Sequence, residues 1–217
     1  MNKWAFVSDF DGTITKKDFY QIVIEKYFNE GEKLYKQWKS EEIKDIDFLS
    51  AVFSSINQEE DIIMDDIKSI EIDEHVPEFI KKVQKNNGDF FILSAGTDYY
   101  IQHLLNHYGI ECVKVFSNEG YYKDKNVHLN IDSGHPHYSE RYGIDKEKVI
   151  TELHKEYEIV FFAGDSEPDS HPAKAADLTF AFGQLQQLLK EKSLSHIEVN
   201  SFKEIDEYLQ KDGRFLA

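Results

Sequence analysis

The sequence predicts an α/β fold, in which a Rossmann-like core built on a parallel sheet carries an inserted helical cap domain. Three observations favour it. Short apolar runs alternate with amphipathic helical stretches along most of the chain, which is typical of strands that pair in parallel. Polar residues follow three of the apolar runs directly. Between the first two apolar runs, the apolar residues recur only at the spacing of a helix. We therefore predict a core of residues 1–15 and 72–217, interrupted by a helical cap at 16–71.

The first apolar run begins at Trp4 and ends in an acidic turn. Asp9 lies where the run ends, Asp11 follows two residues later, and Gly12 lets the backbone bend sharply. Two carboxylates at the end of a buried strand are costly unless a cation or a reaction uses them. Open α/β sheets bind ligands just beyond the carboxyl ends of their strands. The alternative interpretation of this stretch alone is a solvated Asp-Gly turn.

Residues 16–71 are predicted to be helical throughout. Neither glycine nor proline occurs from Glu32 to His75, which favours helices over hairpins. Apolar residues recur at helical spacing, at Phe19, Ile22, Val23 and Tyr27 and again at Phe48, Leu49, Val52 and Phe53. Because this block follows the acidic turn, we expect it to cover that end of the sheet. The alternative is an ordinary layer of surface helices.

The rest of the chain is predicted to alternate between helices and strands. Helices are expected at 74–85, 98–108, 145–157, from about 171, 185–192 and 202–209, and strands at 90–93, 112–116, 159–163, 178–182 and 196–199. A hairpin is expected at 121–131, and residues 134–142 show little regular pattern. Cys112 is expected to be a small buried hydrophobe in its strand.

Chemically active residues follow three of the predicted strands. Asp9 and Asp11 follow the first, Ser94 follows the second, and Asp165 and Asp169 come after the strand at 159–163. Because the carboxyl ends of parallel strands share one edge, we expect these groups to converge. Carboxylates so close together raise one another's pKa unless a hard cation lies among them. Mg²⁺ suits such a site because it prefers oxygen ligands.

Lys146 is the candidate source of positive charge. It precedes Val149, Ile150 and Leu153 by three, four and seven residues, so it shares their apolar helix face. Lys148 lies on the other side of the helix and is expected to be solvated. A lysine in the first turn opposes the helix dipole, which suggests a partner elsewhere. The alternative is a lysine that snorkels at the rim of the core.

Composition restricts the partners. The formal net charge is −16, and Arg141 and Arg214 are the only arginines, which argues against nucleic acid. No apolar run reaches the roughly 18 residues of a membrane span, and the N-terminus does not resemble a signal peptide. A single cysteine allows no internal disulfide. We expect a cytoplasmic protein, and the sequence leaves its oligomeric state open. An acidic chain can still bind a small phosphorylated metabolite where a metal ion, a lysine or exposed backbone N–H groups supply local positive charge.

With these motifs in this order, the chain resembles the haloacid dehalogenase-like (HAD) superfamily of phosphohydrolases. The matching stretches are Asp9-Phe10-Asp11-Gly12-Thr13, Ser94 in Leu93-Ser94-Ala95-Gly96, Lys146, and Gly164-Asp165-Ser166-Glu167-Pro168-Asp169. The helical insertion resembles the cap of the phosphoserine phosphatase-like branch. Residues 121–131 and 143–150 are most similar to phosphatases of methionine salvage.

The resemblance implies a Mg²⁺-dependent phosphomonoesterase that acts through an aspartyl-phosphate intermediate. Asp9 would be the nucleophile, and Asp11 would protonate the leaving oxygen and later take a proton from water. Mg²⁺ would be bound by Asp9, by the backbone carbonyl of Asp11 and by Asp165, with Asp169 as a further partner, direct or through water. The phosphate would be held by Gly12, Thr13, Ser94, Ala95, Gly96 and Lys146.

The cap candidates for substrate contact are Asp18, Phe19 and Tyr20. Asp18 occupies the place of a glutamate in the phosphoserine branch, but residues 16–71 contain no arginine to bind an amino acid's carboxylate. For Tyr99 and Tyr100 two roles are considered, lining of the substrate pocket and packing in the core. Three alternatives stay open: a phosphoserine phosphatase-like enzyme, a phosphotransferase, and a non-catalytic phosphate- or Mg²⁺-binding protein. For His135 and His137, surface or substrate-loop roles are favoured over metal binding.

Overall fold

The computed structural model describes residues 3–215, so residues 1, 2, 216 and 217 of the predicted core lie outside it. The strands are β1 (Trp4–Ser8), β2 (Gly88–Thr97), β3 (Lys114–Lys123), β4 (Asn126–Asn130), β5 (Tyr138–Ser139), β6 (Gly143–Ile144), β7 (Ile159–Gly164), β8 (Leu178–Ala181) and β9 (Ile197–Glu198). The helices are α1 (Phe19–Tyr27), α2 (Gly31–Lys39), α3 (Asp45–Phe53), α4 (Glu60–Lys68), α5 (Val76–Lys85), α6 (Asp98–His107), α7 (Lys146–Leu153), α8 (Gly183–Glu191) and α9 (Phe202–Lys211).

Within the described residues, seven strands form one sheet in the order β4-β3-β2-β1-β7-β8-β9. All neighbours pair in parallel except β3 and β4, which form an antiparallel hairpin at one edge. The turn of this hairpin is Asp124-Lys125, and both residues have the positive φ that a tight hairpin turn requires. The predicted α/β fold is therefore confirmed, with one antiparallel edge strand on a mostly parallel sheet.

Strand β1 lies at the centre of the sheet and is buried along its whole length. Its side chains alternate between two cores, as the period of a strand requires. Phe6 packs against the rings of Phe79 and Phe90 on one face. Val7 belongs to the opposite core, with Val149 and Ile150 of α7. The continuous apolar run of β1 thus follows from burial on both faces.

Helices α1 to α4 occupy the segment predicted to be an insertion, between β1 and β2. Aromatic rings join α1, α2 and α3, since the ring of Tyr20 contacts those of Trp38 and Phe48, which stack with centroids 4.4 Å apart. Thr15 and Ile72 form an isolated antiparallel bridge, so the chain leaves the core and returns to it at adjacent points.

Several local expectations were wrong. Strand β2 does not end at Leu93 but continues to Thr97, with an irregular register between those two residues. Cys112 is exposed and precedes β3, because the chain turns there with a φ of 59°. The helix expected from about residue 171 is replaced by two short 3₁₀ turns, at Glu167–Ser170 and Pro172–Lys174. Residues 134–142, expected to be irregular, contribute β5, which forms a small ribbon with β6.

None of the helices in the described part of the chain is both long enough and apolar enough to cross a lipid bilayer.

Candidate active site

The Asp9 carboxylate is fixed at the end of β1. The Asp9 backbone N–H donates to the Ala163 carbonyl at 2.8 Å, which extends the pairing with β7. The Thr13 hydroxyl donates to Asp9 Oδ2 at 3.1 Å, and Lys146 Nζ donates to Oδ1 at 2.6 Å. Only 5% of Asp9 is exposed. Both carboxylate oxygens are therefore held in place at the edge of the sheet.

Lys146 is buried at the start of α7, as its spacing predicted. The Asp145 side chain caps this helix by accepting from the backbone N–H of Lys148, which is itself exposed. Lys146 Nζ donates to Asp9 Oδ1 at 2.6 Å and to Asp169 Oδ1 at 2.7 Å. Burial alone would lower the pKa of the Lys146 ammonium, but the two carboxylates outweigh burial and hold that pKa above its ordinary value. The ammonium group therefore stays charged between two acids.

Asp165 and Asp169 bring further negative charge to the end of β7. Asp169 Oδ2 accepts from the backbone N–H groups of Asp165 and Ser166, at 2.9 and 3.2 Å. Asp165 Oδ1 is buried and has no hydrogen-bond partner among the described residues. Oxygens of Asp9, Asp165 and Asp169 lie within 4.8 Å of one another. Burial, and then the charge of Asp169, raise the pKa of Asp9 well above its ordinary value and that of Asp165 to about 8.

Gly12 allows the ends of β1 and β7 to approach each other. Its φ is 78°, and a Cβ atom there would lie 2.5 Å from Asp165 Oδ2. Its N–H donates to the Thr15 hydroxyl at 3.2 Å. Glycine is therefore required at this position for two independent reasons, backbone conformation and space.

Asp11 lies beside this cluster in a different environment. Its Oδ2 accepts from the Tyr100 hydroxyl at 2.5 Å and from the Ser94 hydroxyl at 3.3 Å. Burial, reinforced by the charge of Asp18, raises the pKa of Asp11 to about 7, and the two hydrogen bonds partly oppose this rise. The neighbouring carboxyls Asp9 and Asp11 thus have different partners, since Asp9 contacts an ammonium group and Asp11 contacts hydroxyls.

One cavity of about 270 Å³ joins these groups to the helical insertion. The core side is lined by Asp9, Asp11, Ser94, Ala95, Gly96, Tyr100, Arg141, Lys146, Ser166, Glu167, Pro168 and Gln184. The insertion side is lined by Asp18, Tyr20, Trp38, Lys39, Glu41, Asp45, Leu49 and Phe53. The structure therefore brings Asp9, Asp11, Ser94 and Lys146 to one cleft, with Asp165 and Asp169 in contact with its wall.

Other candidates do not face the cavity. Phe19 is buried, and its ring packs against Phe53 and Tyr100. Gly12 and Thr13 lie behind the described lining residues and support Asp165 and Asp9. Among the histidines, His137 contacts Glu152 Oε2 at 2.6 Å and lies outside the lining.

Sequence reasoning missed Arg141 and the hydroxyl contact of Tyr100. Arg141 lies in the turn between β5 and β6, and its Nε donates to Asp45 Oδ2 at 2.8 Å. Arg141 therefore supplies to the cavity the arginine that residues 16–71 lack. The signal for it was an isolated arginine just before Lys146. Tyr100 follows Ser94 on α6, but its contact with Asp11 spans 89 residues, so local spacing carried no signal for it.

Comparisons with known proteins agree with this geometry. The family described as Putative Phosphatase matches residues 5–210. A 2-hydroxy-3-keto-5-methylthiopentenyl-1-phosphate phosphatase of Bacillus cereus (strain ATCC 10987 / NRS 248) is 31% identical over 208 residues, which cover 93% of this chain and 94% of that protein. Its namesake in Bacillus pumilus (strain SAFR-032) is 32% identical over 209 residues, with 93% and 89% covered.

Among solved structures, a phosphoserine phosphatase described as a phospho-aspartyl intermediate analogue superposes with a TM-score of 0.71. The sequences are 20% identical, and the match covers 96% of this chain and 99% of that one. At this identity the similarity shows a shared fold.

Proposed function

Because this chain belongs to the Putative Phosphatase family, which confirms its resemblance to the HAD phosphatases, we propose that it hydrolyses a small phosphoric monoester through an aspartyl-phosphate on Asp9. One observation carries the proposal. Asp9 and Asp11 face the same cavity, with the first carboxylate bonded to Lys146 and the second carboxyl bonded to hydroxyl groups. A nucleophile and a proton donor need these two different environments.

In the first step Asp9 attacks the phosphorus of the bound ester. A bond forms between phosphorus and an Asp9 oxygen, and the bond between phosphorus and the ester oxygen breaks. The proton of Asp11 passes to that ester oxygen, which leaves as an alcohol. Lys146 and Ser94 hold the phosphoryl oxygens, together with the backbone N–H group of Ala95, while the Gly96 N–H donates to Ser94 Oγ at 2.9 Å and orients that hydroxyl.

In the second step the aspartyl-phosphate is hydrolysed. Asp11, now a carboxylate, takes a proton from a water molecule whose oxygen attacks phosphorus. The bond between phosphorus and Asp9 breaks, so inorganic phosphate leaves and the Asp9 carboxylate is restored. Asp11 ends the cycle protonated, as it began.

The carboxylate cluster fits a divalent cation. Asp165 Oδ1 is a buried oxygen without a hydrogen-bond partner among residues 3–215, and one carboxylate oxygen each from Asp9, Asp165 and Asp169 lie within 4.8 Å of one another. A group of carboxylate oxygens suits Mg²⁺, which prefers hard oxygen ligands. We propose that Asp9, Asp165 and the backbone carbonyl of Asp11 hold it, with Asp169 as a further partner, direct or through water, that also orients Lys146 and the turn after β7. The ion would offset negative charge on the transferring phosphoryl group.

We propose that residues 16–71 form the cap domain, with residues 1–15 and 72–217 as the core. The Thr15–Ile72 bridge supports these boundaries. Tyr20, Trp38, Leu49 and Phe53 give the insertion side of the cavity an apolar surface, beside charged side chains of the same segment. Such a surface suits an organic group that carries the phosphate, and closure over it would exclude water.

The proposed substrate is a phosphate ester with an uncharged tail, of the kind named for the Bacillus relatives. A thioether tail would pack well on aromatic rings such as those of Tyr20 and Trp38. Arg141 is already paired with Asp45, and Glu41 lies near it at 3.7 Å, so its charge is compensated before a substrate carboxylate arrives. This compensation argues against phosphoserine. A cytoplasmic location stays a prediction.

A panel of phosphorylated metabolites tests the proposal directly. We expect release of inorganic phosphate in the presence of Mg²⁺, with 2-hydroxy-3-keto-5-methylthiopentenyl-1-phosphate preferred over phosphoserine and activity lost in EDTA. Added alcohol acceptors should not divert the phosphate, which separates a hydrolase from a phosphotransferase. Failure to hydrolyse p-nitrophenyl phosphate or any metabolite of the panel would favour a binding protein instead.

A further inference from the structure

Among the described residues, those that hold the Asp11 carboxyl all contact one of its oxygens, Oδ2. Tyr100 is 2% exposed, and its hydroxyl donates to Asp11 Oδ2 at 2.5 Å. The Ser94 hydroxyl donates to the same oxygen at 3.3 Å. Asp11 Oδ1 accepts no hydrogen bond from any residue between 3 and 215. Oδ1 is therefore the oxygen left to exchange a proton with a molecule in the cavity.

We propose that Tyr100 is a positioning residue that orients the Asp11 carboxyl for proton transfer to the leaving group, an inference that rests on the proposed phosphatase function. A hydrogen bond donated to Oδ2 favours negative charge on that oxygen, so the proton of the neutral acid lies on Oδ1. When Oδ1 gives its proton to the ester oxygen, the charge that develops on Asp11 is stabilised through the same contact.

The Tyr100 ring is fixed from both sides of the cavity. Its centroid lies 6.2 Å from that of Phe10 in the core. It also lies 5.2 Å from Phe19 of α1 and 6.2 Å from Phe53 of α3. The insertion helices therefore pack on the residue that holds the acid. An apolar residue such as Phe19 then influences the reaction without contacting the substrate.

Gly96 provides the space that the Tyr100 hydroxyl needs. A Cβ atom at position 96 would lie 1.8 Å from the Tyr100 hydroxyl oxygen and 3.1 Å from Asp11 Oδ2. No other residue type can occupy this position while the contact between Tyr100 and Asp11 persists. The second sequence motif thus supplies both Ser94 and the space for a second hydroxyl donor.

The chemistry of the leaving group distinguishes positioning from a general structural role. p-Nitrophenolate is a stable anion and leaves with little help from an acid, whereas phenolate needs a proton from Asp11 more strongly. The two esters are nearly the same in shape, so both enter the same cavity. Since kcat/KM reports events up to the first irreversible phosphoryl transfer, the later role of Asp11 as a base does not affect it.

The test compares Tyr100→Phe with Tyr99→Phe in the full-length Mg²⁺-loaded enzyme, on p-nitrophenyl phosphate and phenyl phosphate. Tyr99 precedes Tyr100 on α6, but its hydroxyl donates to Glu60 at 3.0 Å, away from Asp11. We expect Tyr100→Phe to lower kcat/KM about tenfold or more on phenyl phosphate and less than about threefold on p-nitrophenyl phosphate, mainly through kcat. Tyr99→Phe should leave the ratio of the two kcat/KM values unchanged.

The ratio between the two esters does not depend on the fraction of variant that folds, because both substrates see the same active molecules. Equal losses on both esters, no loss on either, or the same selectivity in Tyr99→Phe would overturn the role of Tyr100 alone. Absence of Asp9-dependent turnover of both esters by the wild-type enzyme would overturn the proposed function, and the role of Tyr100 with it.

Discussion

At the scale of single residues, the two neighbouring carboxyl groups of the site have different hydrogen-bond partners. Asp9 contacts an ammonium group and a hydroxyl, whereas Asp11 contacts two hydroxyls. Lys146 lowers the pKa of Asp9 against the opposing effects of burial and Asp169, and a bound cation would favour its ionised, nucleophilic form further, whereas Asp11 contacts no ammonium group of the described residues and can carry a proton. The division of roles between the two acids therefore follows from their neighbours.

The nucleophile can be tested by replacing Asp9 with asparagine. Asp9→Asn keeps the shape of the side chain but cannot form an acyl-phosphate, so we expect kcat on any substrate of the wild-type enzyme to fall at least about a thousandfold. The measurement is phosphate release, with the exposed carboxylate variant Asp61→Asn as a control that keeps wild-type turnover. Wild-type turnover in Asp9→Asn would remove Asp9 from the role of nucleophile.

Gly12 can be tested against a second glycine that also has a positive φ but has free space where a Cβ atom would lie. Both Gly12 and Gly109 have positive φ, at 78° and 62°, but a Cβ at Gly109 would meet no atom of the described residues within 4 Å. Each change to alanine should cost about 1–3 kcal/mol of unfolding free energy from backbone strain. Only Gly12→Ala should also displace Asp165 and abolish activity. Denaturant titration measures the loss of stability in both variants, and kinetic assays measure the loss of activity. Full activity in Gly12→Ala would contradict the close approach of the two strand ends.

At the scale of elements, the turn between β5 and β6 is joined to the start of α3. Arg141 pairs with Asp45 at 2.8 Å, and its carbonyl accepts from the Ile46 N–H at 3.1 Å. Lys44 and Glu140 add an exposed ion pair at 2.6 Å. The Asp45 side chain is only 8% exposed, so its pairing contributes more than the exposed pair does. These contacts hold the helical insertion against the core.

Arg141→Met should loosen this junction. Because Asp45 would lose its charged partner, we expect kcat/KM to fall about tenfold, with a cost in stability of roughly 1–3 kcal/mol. Hydrogen exchange at the Ile46 amide should become faster. Arg214→Met is the matched control, since Arg214 pairs with Asp212 near the end of α9 and lies outside the cavity lining. Unchanged exchange at Ile46 would show that the contacts of Arg141 do not restrain α3.

The elements that the sequence predicted well are those set by burial on two faces or by helical spacing. β1 and α7 are examples, because their apolar patterns are decided by the cores on which they pack. Cys112 was placed wrongly because a left-handed turn depends on where the chain must go next, and its local sequence resembles a strand. The roles of Arg141 and Tyr100 depend on contacts between distant segments, which no local pattern contains.

At the scale of the whole molecule, three strand ends and the inserted helices α1, α2 and α3 surround one cavity. When no cation is bound, the acidic cluster at its base lowers the stability of the folded protein. Burial and mutual repulsion disfavour the charged forms of Asp9 and Asp165 and raise the pKa of both. Stability and cation binding are therefore linked, and the linkage is measurable without a substrate.

We expect Mg²⁺ to raise the melting temperature of the protein. A ligand at a hundredfold excess over its Kd adds about 2.7 kcal/mol to the folded state, which corresponds to several degrees for a chain of this size. Asp165→Asn should abolish most of this gain while keeping at least wild-type stability in EDTA, because the pKa of about 8 shows that burial there disfavours the charged carboxylate, and the amide has no charged form. A Mg²⁺-induced shift of the same size in both proteins would exclude Asp165 as a ligand.

The bridge between Thr15 and Ile72 places two distant points of the chain side by side. A short connector could therefore replace everything between them without disturbing the register of β1 and β2. The proposed catalytic groups and most of the residues proposed to contact the substrate are thus encoded in separate stretches of the gene. A foreign helical segment could be grafted at these two positions to redirect the enzyme to other esters.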